Sequence, residues 1–109
     1  MPDSTARLRH VVLLGFTDDT GPEVIDEVVR RFCALADAIA AIDGFEWGVN
    51  ASTEGLDHGH SHCFTLTFRS EAARDSYLPH PDHVAFAEFA RPHLKTVTVV
   101  DYWTRDVRA

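Results

Sequence analysis

Two short stretches at opposite ends of the chain, residues 10–16 and 96–103, read as β-strands that are apolar on both faces. In the first, Val12, Leu14 and Phe16 alternate with Val11 and Leu13. In the second, Val97 and Val99 alternate with Val100 and Tyr102. Side chains on a strand point alternately to its two sides. A sheet wetted on one side should therefore read apolar, then polar. Two strands without that alternation need cover on both faces, and this limits what the rest of the chain can build.

The intervening sequence supplies cover for one face. Pro22 stands where a first helical turn tolerates a missing N–H. Thr20 and Glu23 have the capping-box spacing. Ile25, Val28, Val29, Phe32, Leu35 and Ile39 then recur at helical period, and Asp43-Gly44 is expected to end the segment. Phe45, Trp47 and Val49 alternate with polar or small residues as a half-buried strand. A polar loop follows over residues 52–59. His62, Phe64, Leu66 and Phe68 mark a third strand, and Ser70 caps a short helix through Tyr77. Pro79 and Pro81 interrupt that helix, and a further one runs from Pro81 to about Ala90. The order β-α-β-β-α-β predicts a ferredoxin-like α+β fold, with helices on one face of a four-stranded antiparallel sheet.

The uncovered sheet face predicts a homodimer. A second copy of the same sheet is the economical cover, since twofold pairing is the commonest symmetry. The alternative is a monomer exposing an apolar patch, which invites aggregation.

With 109 residues there is room for one domain, expected at 9–105 after a short flexible leader at 1–8. A net charge of −7 argues against nucleic acid or an anionic membrane surface as partner. The opening residues lack the apolar core of a secretory signal, and no apolar run is long enough to span a bilayer. Cys33 and Cys63 have no paired-motif spacing and are expected to be reduced thiols. The expectation is a soluble cytoplasmic protein.

Seven histidines carry most of the chemical signal. Imidazole titrates near neutrality, which suits acid–base work and metal binding. In Tyr77-Leu78-Pro79-His80-Pro81-Asp82-His83, Pro81 should open a helix. His83 then sits in the first turn, where the helix dipole favours an uncharged, proton-accepting imidazole. Tyr77 precedes the break and can supply a phenolic donor. A base and a donor together suit removal of a proton beside a carbonyl. The plainer alternative is that His83 packs the helix start and Tyr77 fills the core.

His10 and His62 each share a strand face with large apolar residues and are candidates for a pocket mouth. His58, His60 and His62 have the spacing of one strand face. They form a weaker candidate for zinc or copper, provided the strand extends back to His58. Gly55 and Gly59 point to a loop there instead. His80 and His83, three apart, could also meet a metal. There is no phosphate-cradling glycine loop, nucleophile elbow or paired-cysteine motif. Cys63 is expected to be an inert thiol on the helix-free face.

The chain resembles the stress-responsive dimeric α/β-barrel (Dabb) family. The matching segments are His10-Val11-Val12-Leu13, Glu54-Gly55-Leu56, Leu66-Thr67-Phe68, the block from Tyr77 to Phe86, and Val99-Val100-Asp101-Tyr102. The resemblance implies a ferredoxin-like monomer pairing sheet to sheet. It also implies what a plant polyketide-cyclising member does without a cofactor. There a histidine and a tyrosine match His83 and Tyr77, and further pocket histidines match His10 and His62. His60 and Ser61 depart from the family pattern, and His58 adds an imidazole. The functional expectation is a cofactor-independent cyclase or isomerase acting on a small carbonyl compound. The alternatives are a non-catalytic dimer binding a small apolar or aromatic ligand, and a cofactor-independent monooxygenase-like protein.

Overall fold

The computed structural model describes residues 5–106. β1 (Leu8–Phe16) buries Leu8, His10, Val12 and Leu14 on one face, as alternation requires. Leu8, placed in the leader by the sequence reading, is the first residue of this strand and pairs with both Phe68 and Trp103. Residues 1–4 of that leader lie outside the described residues.

α1 (Pro22–Ala38) starts differently from the capping-box expectation. Gly21 is the N-cap, and no side chain caps the helix. The Thr20 hydroxyl is engaged elsewhere, with Thr17 Oγ1 and with the His93 carbonyl 3.5 Å away. Pro22 at the first position presents no N–H in need of a partner. The helix ends before Asp43-Gly44: the Ile39 N–H closes onto the Leu35 carbonyl at 2.9 Å, and Ile39 is already extended.

β2 (Gly44–Val49), β3 (His62–Phe68), α2 (Glu71–Tyr77), α3 (Pro81–Ala90), a 3-10 turn (Arg91–His93) and β4 (Leu94–Trp103) complete the chain. The strands form one antiparallel sheet in the order β2-β3-β1-β4. This is the ferredoxin-like α+β arrangement. The core lies between sheet and helices. There the Phe32 ring of α1 sits 4.4 Å from Phe64 of β3 and 4.5 Å from Phe86 of α3.

Two features of the sheet matter below. The β1–β4 register shifts between Gly15 and Phe16, and Gly15 is packed so closely that a Cβ there would land on Thr96 Oγ1 and the Gly59 carbonyl oxygen. On the helix-free face, Val11 lies opposite Val100 and Leu13 opposite Thr98, and Val100 and Tyr102 are 54% and 50% exposed. The apolar second face expected from sequence is thus present in the single chain. No helix among the described residues is long and apolar enough to cross a membrane.

Candidate functional site

The break between α2 and α3 builds the site. Ser70 Oγ accepts from the Ala73 N–H at 3.1 Å and starts α2, which ends at Tyr77. Pro81 then opens α3, with His80 as N-cap accepting the Asp82 N–H on Nδ1 at 3.1 Å. His83 falls in the first turn of α3, as expected. Its Nδ1 lies 2.9 Å from the Leu78 carbonyl oxygen. A carbonyl can only accept, so Nδ1 carries the proton in this bond, and Nε2 of the neutral ring keeps its lone pair. The capped helix junction therefore fixes the tautomer a general base needs.

Tyr77 faces this imidazole, with ring centroids 4.4 Å apart and planes at 44°. The side chain is fully buried, packed against Phe68 at 5.4 Å and His10 at 5.8 Å. Its hydroxyl has no hydrogen-bond partner among the described residues. Buried hydroxyls almost always find a partner, so an orphan one is a feature in need of an explanation. Burial pushes the phenol well above its ordinary pKa, so it stays protonated and able to donate.

Among the described residues His10 is, beside the Tyr77 phenol, the one buried residue with a polar side chain. Its Nδ1 lies 2.7 Å from Asp101 Oδ1, directly across the β1–β4 ladder. Asp101 Oδ2 accepts from Arg74 Nη1 at 3.0 Å. Arg74, from α2, also donates from Nε to Asp75 at 3.0 Å. The carboxylate orients the buried imidazole by its Nδ1–H, and the guanidinium balances the carboxylate.

These residues surround one cavity of about 690 Å³ between β1, β4 and the α2–α3 layer. His10, Tyr77, His83, Asp101 and Arg74 line one part, Val97, Val99, Leu94, Phe86 and Ala87 line an apolar stretch, and Arg91 and Lys95 also border it. Val97 and Val99 are 53% and 51% exposed although they face the helices, because the cavity opens over them. A concave, mainly apolar hollow with few convergent polar groups is the usual form of a small-molecule site.

His62 is not part of this cavity. Neighbouring antiparallel strands begin at opposite ends of a sheet. His10 pairs with Leu66, while His62, near the start of β3, pairs with Leu14. Four residues along a strand separate those levels by about 13 Å. His62 instead stacks on Trp47 at 6.2 Å, meets Phe16 edge-on at 5.2 Å, and lines a second hollow with Leu13, Asn50 and Leu56. Desolvation there lowers its pKa, partly offset by Asp26.

His58 and His60 do not extend β3. His58 and Gly59 are consecutive left-handed residues, with φ of 55° and 83°, which turn the chain before the strand starts at His62. Both nitrogens of His60 are engaged, Nδ1 with the Asp57 carbonyl at 2.8 Å and Nε2 with Thr98 Oγ1 at 3.0 Å. His62 Nδ1 meets Ser61 Oγ at 2.8 Å. The strand face on which the three-imidazole reading depended is therefore not formed. No group of three His, Cys, Asp or Glu side chains among the described residues is arranged to hold a metal.

Sequence reasoning missed Asp101 and Arg74. The available signal was the apolar helix-facing row Val97, Val99, Asp101 and Trp103, in which one carboxylate interrupts the pattern. A charge on a buried strand face calls for a partner.

Comparison with known proteins agrees with this fold. Residues 8–104 match the family described as the Stress responsive A/B Barrel Domain, Dabb. The stress-response A/B barrel domain-containing protein HS1 of Arabidopsis thaliana is 36% identical over 94% of this chain and 94% of its own length. Olivetolic acid cyclase of Cannabis sativa is 26% identical over 90% of this chain and 97% of its own. Among solved structures, an Arabidopsis thaliana protein superposes with a TM-score of 0.87 at 37% identity, covering 92% of this chain and 97% of that one. A dimeric ferredoxin-like protein from Jannaschia sp. CCS1 superposes with a TM-score of 0.76 at 25% identity, covering 88% of this chain and 97% of that one.

Proposed function

Because the chain belongs to the stress-responsive A/B barrel (Dabb) family, we propose that it is a homodimer whose Tyr77–His83 cavity carries out cofactor-independent acid–base chemistry on a small carbonyl compound, cyclising or isomerising it. The observation that carries this reading is the pairing of a buried, partnerless phenol with an imidazole whose Nε2 is free, 4.4 Å apart by ring centroid. His83 Nε2 takes the proton from the carbon beside the carbonyl. The Tyr77 hydroxyl donates to the oxygen as it becomes an enolate. The enolate carbon then attacks a second carbonyl of the same molecule, forming the new carbon–carbon bond, and the resulting alkoxide recovers a proton from the His83 imidazolium. Olivetolic acid cyclase being a relative over 90% of this chain supports a reaction of this class.

His10 belongs to the same cavity as a substrate-binding residue, oriented by Asp101. His62, carried over from the resemblance as a second binding residue, would act from the other hollow, and only on a substrate that reaches it. The dimer is supported by the apolar helix-free face and by the dimeric ferredoxin-like relative.

The test is turnover of linear polyketone substrates by wild type and His83→Ala. A positioned base contributes about 10²–10⁴-fold, so the variant should lose that much while keeping its fold. Unchanged turnover in His83→Ala would remove the mechanism. Tight binding of the same compounds with no turnover by wild type would favour the binding-dimer reading, in which the Tyr77 hydroxyl finds its partner on a ligand that leaves unaltered. For the dimer, Val100→Glu should halve the mass seen by sedimentation, and a wild type already at 12.2 kDa would refute it.

A further inference from the structure

The cavity is polar at both ends. Along β4, Val97, Val99 and Asp101 line it from one strand face, and Lys95 joins them from the bulge where the β1–β4 register shifts. Lys95 and Asp101 are six residues apart, so they mark ends about 20 Å from each other. Along α3 and the turn after it, His83, Phe86, Ala87, Ala90 and Arg91 line the facing wall. Eight residues of helix place Arg91 roughly 12 Å from His83. Arg91 and Lys95 therefore both lie toward the end remote from the Tyr77–His83 pair.

The charges at the two ends are not equivalent. At the His10 end, Asp101 and Asp75 both accept from Arg74, so the guanidinium there is fully occupied by carboxylates of the chain itself. At the far end, neither Arg91 nor Lys95 makes an ion pair or hydrogen bond among the described residues, and no carboxylate there lines the cavity. Lys95 is the sole lysine of a chain with net charge −7. Elsewhere the arginines of this acidic protein are largely occupied: Arg30 and Arg31 by Glu27, and Arg69 by Asp43. Two unmatched cations converging on one cavity end are thus set apart from the general surface. A guanidinium and an ammonium together suit a carboxylate or phosphate group.

We propose that the ligand of this cavity is an anionic amphiphile: a carbonyl compound with an apolar arm along Val97 and Val99 and a terminal acid group held by Arg91 and Lys95. This rests on the reading above, which takes the Tyr77–His83 end as the carbonyl end. The acid group fixes which end of the molecule enters, and so which carbonyl reaches His83.

The probes are 9-oxodecanoate and its uncharged counterpart decan-2-one, with 8-oxononyl phosphate to separate carboxylate from phosphate recognition. Binding is measured by titration calorimetry on the full chain. Wild type should hold the oxo acid or the phosphate about tenfold more tightly than the ketone. The Arg91→Gln/Lys95→Gln double variant, checked for an unchanged thermal midpoint, should lose that advantage while binding the ketone as before. Added salt should weaken only the charged probes in wild type. Equal binding of acid, phosphate and ketone by wild type would overturn the proposal, as would failure of both charged probes to bind, or a loss in the double variant that falls equally on all three. A wild type that prefers the anion yet turns over no polyketone would leave this inference standing and remove the catalytic one. Turnover lost in His83→Ala without any anion preference would do the reverse.

Discussion

Asp101 and His10 face each other across the β1–β4 ladder, with one carboxylate oxygen 2.7 Å from the imidazole Nδ1 and the other taken by Arg74 at 3.0 Å. Three residues distant in sequence thus form one chain of charge-assisted bonds at the floor of the cavity. Replacing Asp101 with Ala strands a buried imidazole N–H and leaves Arg74 with Asp75 alone as hydrogen-bond acceptor. The expected loss is about 1–3 kcal/mol of unfolding free energy, read from urea denaturation. A change below the error of that measurement would show that the bond adds nothing to the fold.

Tyr77→Phe should separate stability from function. The hydroxyl is buried without a partner, so its removal relieves a desolvation penalty of about 1–3 kcal/mol, while the ring keeps its packing on Phe68 and His10. The variant should melt higher than wild type. If the hydroxyl stabilises an enolate, turnover should fall about 10²–10³-fold. A lower melting temperature would mean the hydroxyl has a partner in solution, and unchanged turnover would remove it from the mechanism.

His62 should make stability depend on pH. Desolvation lowers its folded-state pKa below the ordinary 6.5. As pH falls through 6.5 the unfolded chain takes up the proton before the folded one does. Stability from this group is therefore full above the unfolded pKa and declines as pH drops toward the folded value. Urea midpoints at pH 7.5 and 5.5 should differ more for wild type than for His62→Gln. Parallel slopes in the two proteins would assign the pH dependence to other groups.

Gly15→Ala should be among the most damaging single-methyl additions in the chain. The new Cβ would collide with Thr96 Oγ1 and with the backbone carbonyl of Gly59, and backbone cannot swing aside as a side chain can. Overpacking of this kind costs about 1–3 kcal/mol, measurable by thermal or chemical unfolding. Gly48→Ala is a useful control, because its Cβ meets nothing within 4 Å.

Most of the fold was readable from periodicity, because β1 and β4 break the apolar–polar alternation and α1 keeps a clear helical stripe. The Tyr77–His83 relationship was also readable. Two prolines force the α2–α3 break, and local geometry then follows from the sequence. What did not follow depended on register. Whether His62 joins His10 is decided by the antiparallel pairing of β1 with β3, which sets them at different levels. Asp101 and Arg74 meet only after β4 is laid beside β1 and α2 is packed above it, 27 residues apart in the chain. The Thr20 capping box failed for a similar reason, since a tertiary contact with the His93 carbonyl competes for the same hydroxyl.

The lone hydroxyl of Tyr77 also makes the folded chain its own detector. A molecule that accepts its hydrogen bond binds the native state alone, and at a hundred times its dissociation constant such a molecule adds about 2.7 kcal/mol to stability. For a domain near this size that is a rise on the order of 10 °C in melting temperature. A thermal-shift screen of metabolite extracts, repeated with Tyr77→Phe, would sort compounds that answer the phenol from those that merely fill space. The physiological ligand could then be sought without first guessing the reaction.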